Sequence, residues 1–194
     1  MKEILLACAL LCGLTAGAQS QHPTESPDWS VRPIEVEVGG GMVFGADKLN
    51  FDKVETGGMG FGEVRYNFRH LPVDVGVQVA GNVFDRWTKE AGNLGFTSVN
   101  CLVVSDYNFW REKNISLFAG LGLGLAWHEN AAPITNISGH GYEVGGSNKS
   151  FCFMPRVGVE IAQHLRLTAS YLIEEKANRH FSLTLGVVFG GGRK

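Results

Sequence analysis

No apolar run in this sequence is long enough to cross a membrane as a helix: the longest, Ile4 to Leu14, falls short of the ~20 residues a span needs. Neither sign of charge dominates, with 17 basic against 19 acidic side chains and a formal net charge of -2. The Lys and Arg residues are scattered instead of lying along one stripe, so there is no footprint for DNA or RNA, and nucleic acid is excluded as a partner. Charged residues make up only 19% against 44% hydrophobic, which excludes a disordered chain. A sustained 3.6-residue period is also missing from Ile34 onward. What is abundant is glycine: 26 residues, about twice the usual globular share, which disfavours an all-helical protein.

The chain opens as an address. Met1-Lys2 supplies a positive start, Ile4 to Leu14 an apolar stretch, and Ala16-Gly17-Ala18 a small-residue cleavage motif before the polar Gln19-Ser20-Gln21. The expected division is a signal peptide over 1–18, a periplasmic segment over 19–32 and one domain over 33–194. Cleavage discards Cys8 and Cys12 and leaves Cys101 and Cys152 in an oxidising compartment. Cys101 shares parity with Val99 and Val103, and Cys152 with Arg156 and Glu160. Opposite faces oppose a disulfide, and two free thiols are expected.

Alternation with a period of two fills the remainder. Ile115, Leu117, Ala119, Leu121, Leu123, Leu125 and Trp127 take every second position, as do Val73, Val75, Val77, Val79 and Val83, and again Phe181, Leu183, Leu185, Val187 and Phe189. Five further strands fall near 33–45, 58–69, 96–109, 151–162 and 165–174. Met59 and Phe61 sit on the polar parity of the second strand, so a bulge or an early strand end is expected there. Tight links at 70–72, 111–113 and 163–164 alternate with longer loops at 46–57, 84–95 and 128–150, and a brief link at 175–179. Short turns at one end and long loops at the other match an outer-membrane barrel, with turns toward the periplasm and loops outside.

Eight such strands could also close into a soluble, lipocalin-like ligand carrier, and the polar parity decides between them. It holds Gly39, Gly41, Gly76, Gly120, Gly122, Gly124, Gly158 and Gly186 beside Glu35, Glu37, Glu63, Arg65, Asp74, Asp106, Arg156, Glu160 and Arg166. Glycine serves little purpose on a solvated strand. In a narrow lumen it makes room for long side chains from the opposite wall, and charges of mixed sign can pair there. The apolar parity then faces lipid. Aromatic residues fall into two groups, as interface girdles require. Tyr66, Phe68, Tyr107, Phe109, Trp110 and Phe189 lie at the short-turn end, and Phe44, Phe84, Trp87, Trp127, Phe151, Tyr171 and Phe181 at the long-loop end. The expected fold is all-β: an eight-stranded antiparallel up-and-down transmembrane barrel.

These residues carry a family resemblance. Gly62-Glu63-Val64-Arg65-Tyr66-Asn67-Phe68, Pro155-Arg156-Val157-Gly158-Val159-Glu160 and the closing Leu183 to Gly192 resemble the small eight-stranded outer-membrane proteins typified by the OmpA barrel and OmpX. The resemblance covers 33–194 and implies a bacterial outer-membrane location, with outer-membrane lipid, lipopolysaccharide and the barrel insertion machinery as partners. Such barrels usually end on an aromatic residue read by that machinery, whereas here Phe189 is followed by Gly190 to Lys194. Their charged plugs imply an interior ion-pair network of Glu63, Arg65, Arg156, Glu160 and Arg166. The lumen should then offer at most a narrow or gated passage. The function expected is non-enzymatic, envelope integrity or contact of the loops with an external ligand, and no cofactor is expected.

One arrangement hints at catalysis. His180 two residues before Ser182 is similar to the pair of outer-membrane lipid A deacylases, in which His acts as base and Ser as nucleophile. Leu183 departs from the small polar residue expected after the Ser, no acid partner is identifiable, and the pair shares the lumen parity although those enzymes act on lipid outside the barrel. Polar strand filler outweighs a catalytic pair. His128-Glu129 and His140 in the longest loop lack a known ligand spacing, and no metal is expected.

Overall fold

A computed structural model describes residues 32–45, 56–68, 71–88, 92–109, 114–136, 139–144, 148–174 and 179–190, with the side chains of 84–96 and 129–148 left aside. The expected signal peptide over 1–18 and the segment 19–31 lie outside the described residues, as does Trp110. Alternating side chains cannot leave backbone donors unpaired next to lipid, and the described strands answer by closing on themselves. They are β1 Ile34–Gly45, β2 Thr56–Asn67, β3 Val73–Thr88, β4 Gly92–Phe109, β5 Ile115–Asn136, β6 Gly139–Val144, β7 Asn148–Ile161, β8 Leu165–Leu172 and β9 His180–Gly190.

All pairings are antiparallel, and β1 pairs with both β2 and β9. Eight strands close the barrel, while β6 pairs only with the far end of β5 among the described residues. The strands are staggered. One line of register runs from Arg166 through Gly186, Gly39, Phe61, Ala80, Asn100 and Ala126 to Ser150, so it enters near the start of β8 and leaves near the start of β7, at the opposite end of the barrel. That stagger tilts the strands and brings residues from different heights of the sequence pattern to one level.

Burial follows the alternation with inside and outside exchanged relative to a water-soluble protein. Val77 is 49% exposed and Leu185 56%, whereas Arg65 and Arg166 are each 1% exposed. An exterior so continuously apolar requires an apolar solvent. Tyr66, Phe68, Tyr107, Phe109 and Phe189 are exposed at the short-turn end, with Tyr66 edge-on to Phe68 at 5.4 Å and Tyr107 to Phe109 at 4.8 Å. At the other end Trp127, Phe151 and Phe181 are exposed and Phe44 and Tyr171 half-buried, with the rings of Phe44 and Phe181 6.2 Å apart. Phe84 and Trp87 lie on β3, but their side chains are outside the described ones.

Three expectations need correction. No bulge interrupts β2, whose register with β1 and β3 is unbroken from Thr56 and Gly57 onward. Phe61 instead points into the lumen at 8% exposure, over Gly39, its partner on β1, where any side chain would collide with the ring. The glycines likewise make room for neighbours on adjacent strands: a side chain at Gly120 would strike Asp106, and one at Gly76 would strike Arg65, each the register partner. Finally, much of 84–95 and 128–150 is strand. β3 and β4 stay paired out to Thr88 and Gly92, and β5 pairs with β6 from Ala131 to Asn136. Pairing continues there although the period-two signal has faded from the sequence.

Candidate functional site

Lumen parity places charged side chains inside, and closure brings them together across the barrel. Arg65 on β2 donates from Nη1 to Glu63 of its own strand at 2.8 Å and to Glu37 of β1, and from Nε to Glu35 at 3.3 Å. Arg156 on β7 spans two carboxylates. It donates to Glu63 at 2.6 and 2.9 Å and to Asp106 of β4 at 2.7 and 2.8 Å, a bidentate geometry at each. Arg166 on β8 pairs with Asp106, lies 3.8 Å from Glu37 and 3.6 Å from Glu160, and stacks its guanidinium 3.5 Å from the centroid of Phe118. Gln78 donates to the remaining side of Glu63 at 2.8 Å.

The five residues proposed from the sequence thus occupy one connected network, joined by Glu35, Glu37 and Asp106. Those three share the lumen parity, so the face was readable. Their partnership was not, because it depends on stagger. Desolvating this many charges is costly, and the bidentate geometry with several acceptors per guanidinium is what offsets it.

Toward the long-loop end the lumen turns apolar. Leu102, Val104, Ala126, Cys152, Met154 and Leu172 form a buried cluster. Cys152 lies within it while Cys101 is half-buried on the other face, and both are free thiols. Beyond this layer come polar side chains: Ser98 donates to Asn82 at 3.0 Å, Ser150 to Glu174 at 3.0 Å, and His128 Nδ1 lies 3.8 Å from Glu174. His180 and Ser182 are each 2% exposed and face the lumen, and the Ser182 hydroxyl is hydrogen-bonded to that of Ser170 at 2.6 Å. The sequence pair is therefore not presented to lipid. Glu129 and His140 fall outside the described side chains, and among the described residues no group of three potential metal ligands converges.

Neither a protein-family model nor a curated protein matches this chain. Its likeness to solved structures is one of shape. The crystal structure of neisserial surface protein A superposes with a TM-score of 0.51 at 11% identity, covering 82% of this chain and 98% of that one. The fold is that of the small eight-stranded outer-membrane barrels. Ail, the attachment invasion locus protein of Yersinia pestis, gives a TM-score of 0.45 at 16% identity, and the N-terminal barrel domain of Pseudomonas aeruginosa OprF 0.44 at 15%. Each of these two also covers 82% of this chain and 98% of its own. At these identities the likeness extends to architecture and stops short of activity.

Proposed function

We propose that this is a non-enzymatic protein of the bacterial outer membrane that anchors β-ribbons above the lipid surface. Its work is envelope integrity or contact with an external ligand. Outer-membrane lipid and lipopolysaccharide surround its apolar belt, and the insertion machinery places it there. The observation that carries this reading is the filling of the barrel: the arginine-carboxylate layer and the apolar layer follow one another along the lumen. Two successive groups of opposite chemistry oppose ion flow, since the first holds fixed charges in mutual pairs and the second adds apolar bulk to the lumen. Material exchange is then not the purpose of the structure, and the ribbons are.

Planar-bilayer recordings on purified protein test this. Little or no conductance is expected, and a large stable pore would overturn the reading. Fractionation of the cell envelope should place the protein with the outer membrane.

The second reading, a lipid A deacylase using His180 and Ser182, needs a hydroxyl that reaches an acyl ester. Ser182 instead faces inward against Ser170. Mass spectra of lipid A from cells carrying the wild type and Ser182→Ala are expected to be identical. Loss of a deacylated species in the variant alone would reinstate catalysis.

A further inference from the structure

The interior carries more acid than base. Glu35, Glu37, Glu63, Asp74, Asp106 and Glu160 share the lumen with only three described arginines, Arg65, Arg156 and Arg166. Five of those carboxylates lie within ion-pairing distance of an arginine. Asp74, among the described residues, does not. It stands near the start of β3, in register opposite Asp106 of β4, a juxtaposition of like charges that is unfavourable unless something offsets it. Its side chain is 1% exposed, so bulk water does not supply the offset. Asn108 donates to Oδ2 at 2.7 Å, and Oδ1 accepts no hydrogen bond.

Asp74 also lines a small, partly open cavity of about 20 Å³ at the short-turn end of the barrel, together with Glu35, Glu160, Asn67, Asn108 and Ser116. Among the described residues no Lys or Arg lines it. The lining is built from carboxylate, amide and hydroxyl groups, whose oxygens are the donors that hard cations take. A buried carboxylate that lines an oxygen-rich space and keeps one oxygen without a hydrogen-bond partner, in an interior with surplus negative charge, has the chemistry of a cation site.

We propose that this vestibule holds one partly hydrated divalent cation, Mg²⁺ or Ca²⁺, with the Asp74 carboxylate as its direct contact and Glu35 and Glu160 acting on it through water. No three acidic or histidine side chains converge as a full ligand set among the described residues, so water completes the shell. Divalent cations, Mg²⁺ above all, are commonly held this way by one or two carboxylates. The cation offsets the carboxylate surplus beside the ion-pair layer and exchanges through the short-turn end, the side facing the periplasm.

Calorimetric titration of the folded full-length protein in detergent micelles with MgCl₂ and CaCl₂ tests the proposal. A single saturable site for at least one of the two ions is expected, weakened about tenfold or more by Asp74→Asn and less by Glu160→Gln. Heat-modifiable electrophoretic mobility identifies the folded variants. Should Asp74→Asn fail to fold, the wild type and Glu160→Gln carry the test. Absence of saturable binding to the wild type overturns the proposal, and so does binding that neither variant weakens. An infrared band of a protonated carboxyl, present in the wild type without cation uptake and absent from Asp74→Asn, would assign the offset to a proton and also overturn it.

Discussion

Arg156→Met is expected to lower the stability of the folded barrel by about 3–5 kcal/mol, the usual loss when one partner of a buried ion pair is removed. Arg156 is 4% exposed and donates bidentately to both Glu63 and Asp106. Methionine fills part of the volume but leaves two carboxylates facing each other with less positive charge between them. Adding Glu63→Gln should recover part of the loss, because Arg65 retains Glu35 and Glu37, and the two effects will not add. Reversible urea unfolding in lipid vesicles measures both. A change below about 1 kcal/mol would place the network in solvent, where ion pairs are worth that little.

Charge on the outer wall should be nearly as damaging. Val103 is 58% exposed and lies in register with Val77 and Leu123, on β4 between Tyr107 toward the short-turn end and Val99, whose partner is Trp127, toward the other. An arginine there must bring its guanidinium to the middle of the hydrocarbon, at a cost of about 2–4 kcal/mol. Ile115→Arg, at the rim beside the short turns, should cost only about 0–1 kcal/mol because the side chain reaches the interface. The same unfolding measurement decides. Equal and negligible costs at both positions would mean that the belt meets water.

Much of this architecture was legible because a strand has two faces and the two solvents differ. Lipid selects Val77, Leu123 and Leu185, the lumen selects Glu63, Arg65 and Arg166, and each selection repeats every second residue. The exposure of Tyr66, Tyr107 and Trp127 was legible for the same reason, because each lies on the apolar parity of its strand. Phe61 was misread because hydrophobicity alone does not say which apolar space a ring fills: it lies in the lumen, where Gly39 leaves it room. The paired extensions of β3 to β6 went unread because their sequence carries no period-two alternation, and backbone pairing alone leaves no side-chain signature.

Parity in one dimension assigns a side chain to the inside or the outside, and the alternating strand residues carry that assignment without help from the fold. It contains no information about height or direction across the barrel. Glu63 and Arg156 are 93 residues apart and belong to strands that are not neighbours in the sheet, and Asp106 meets Arg166 across a separation of 60. Closure and stagger alone bring them to one level. The same stagger leaves Asp74, among the described residues, outside ion-pairing distance of an arginine, because the position of a charge around the ring depends on the register of every strand between it and its partner.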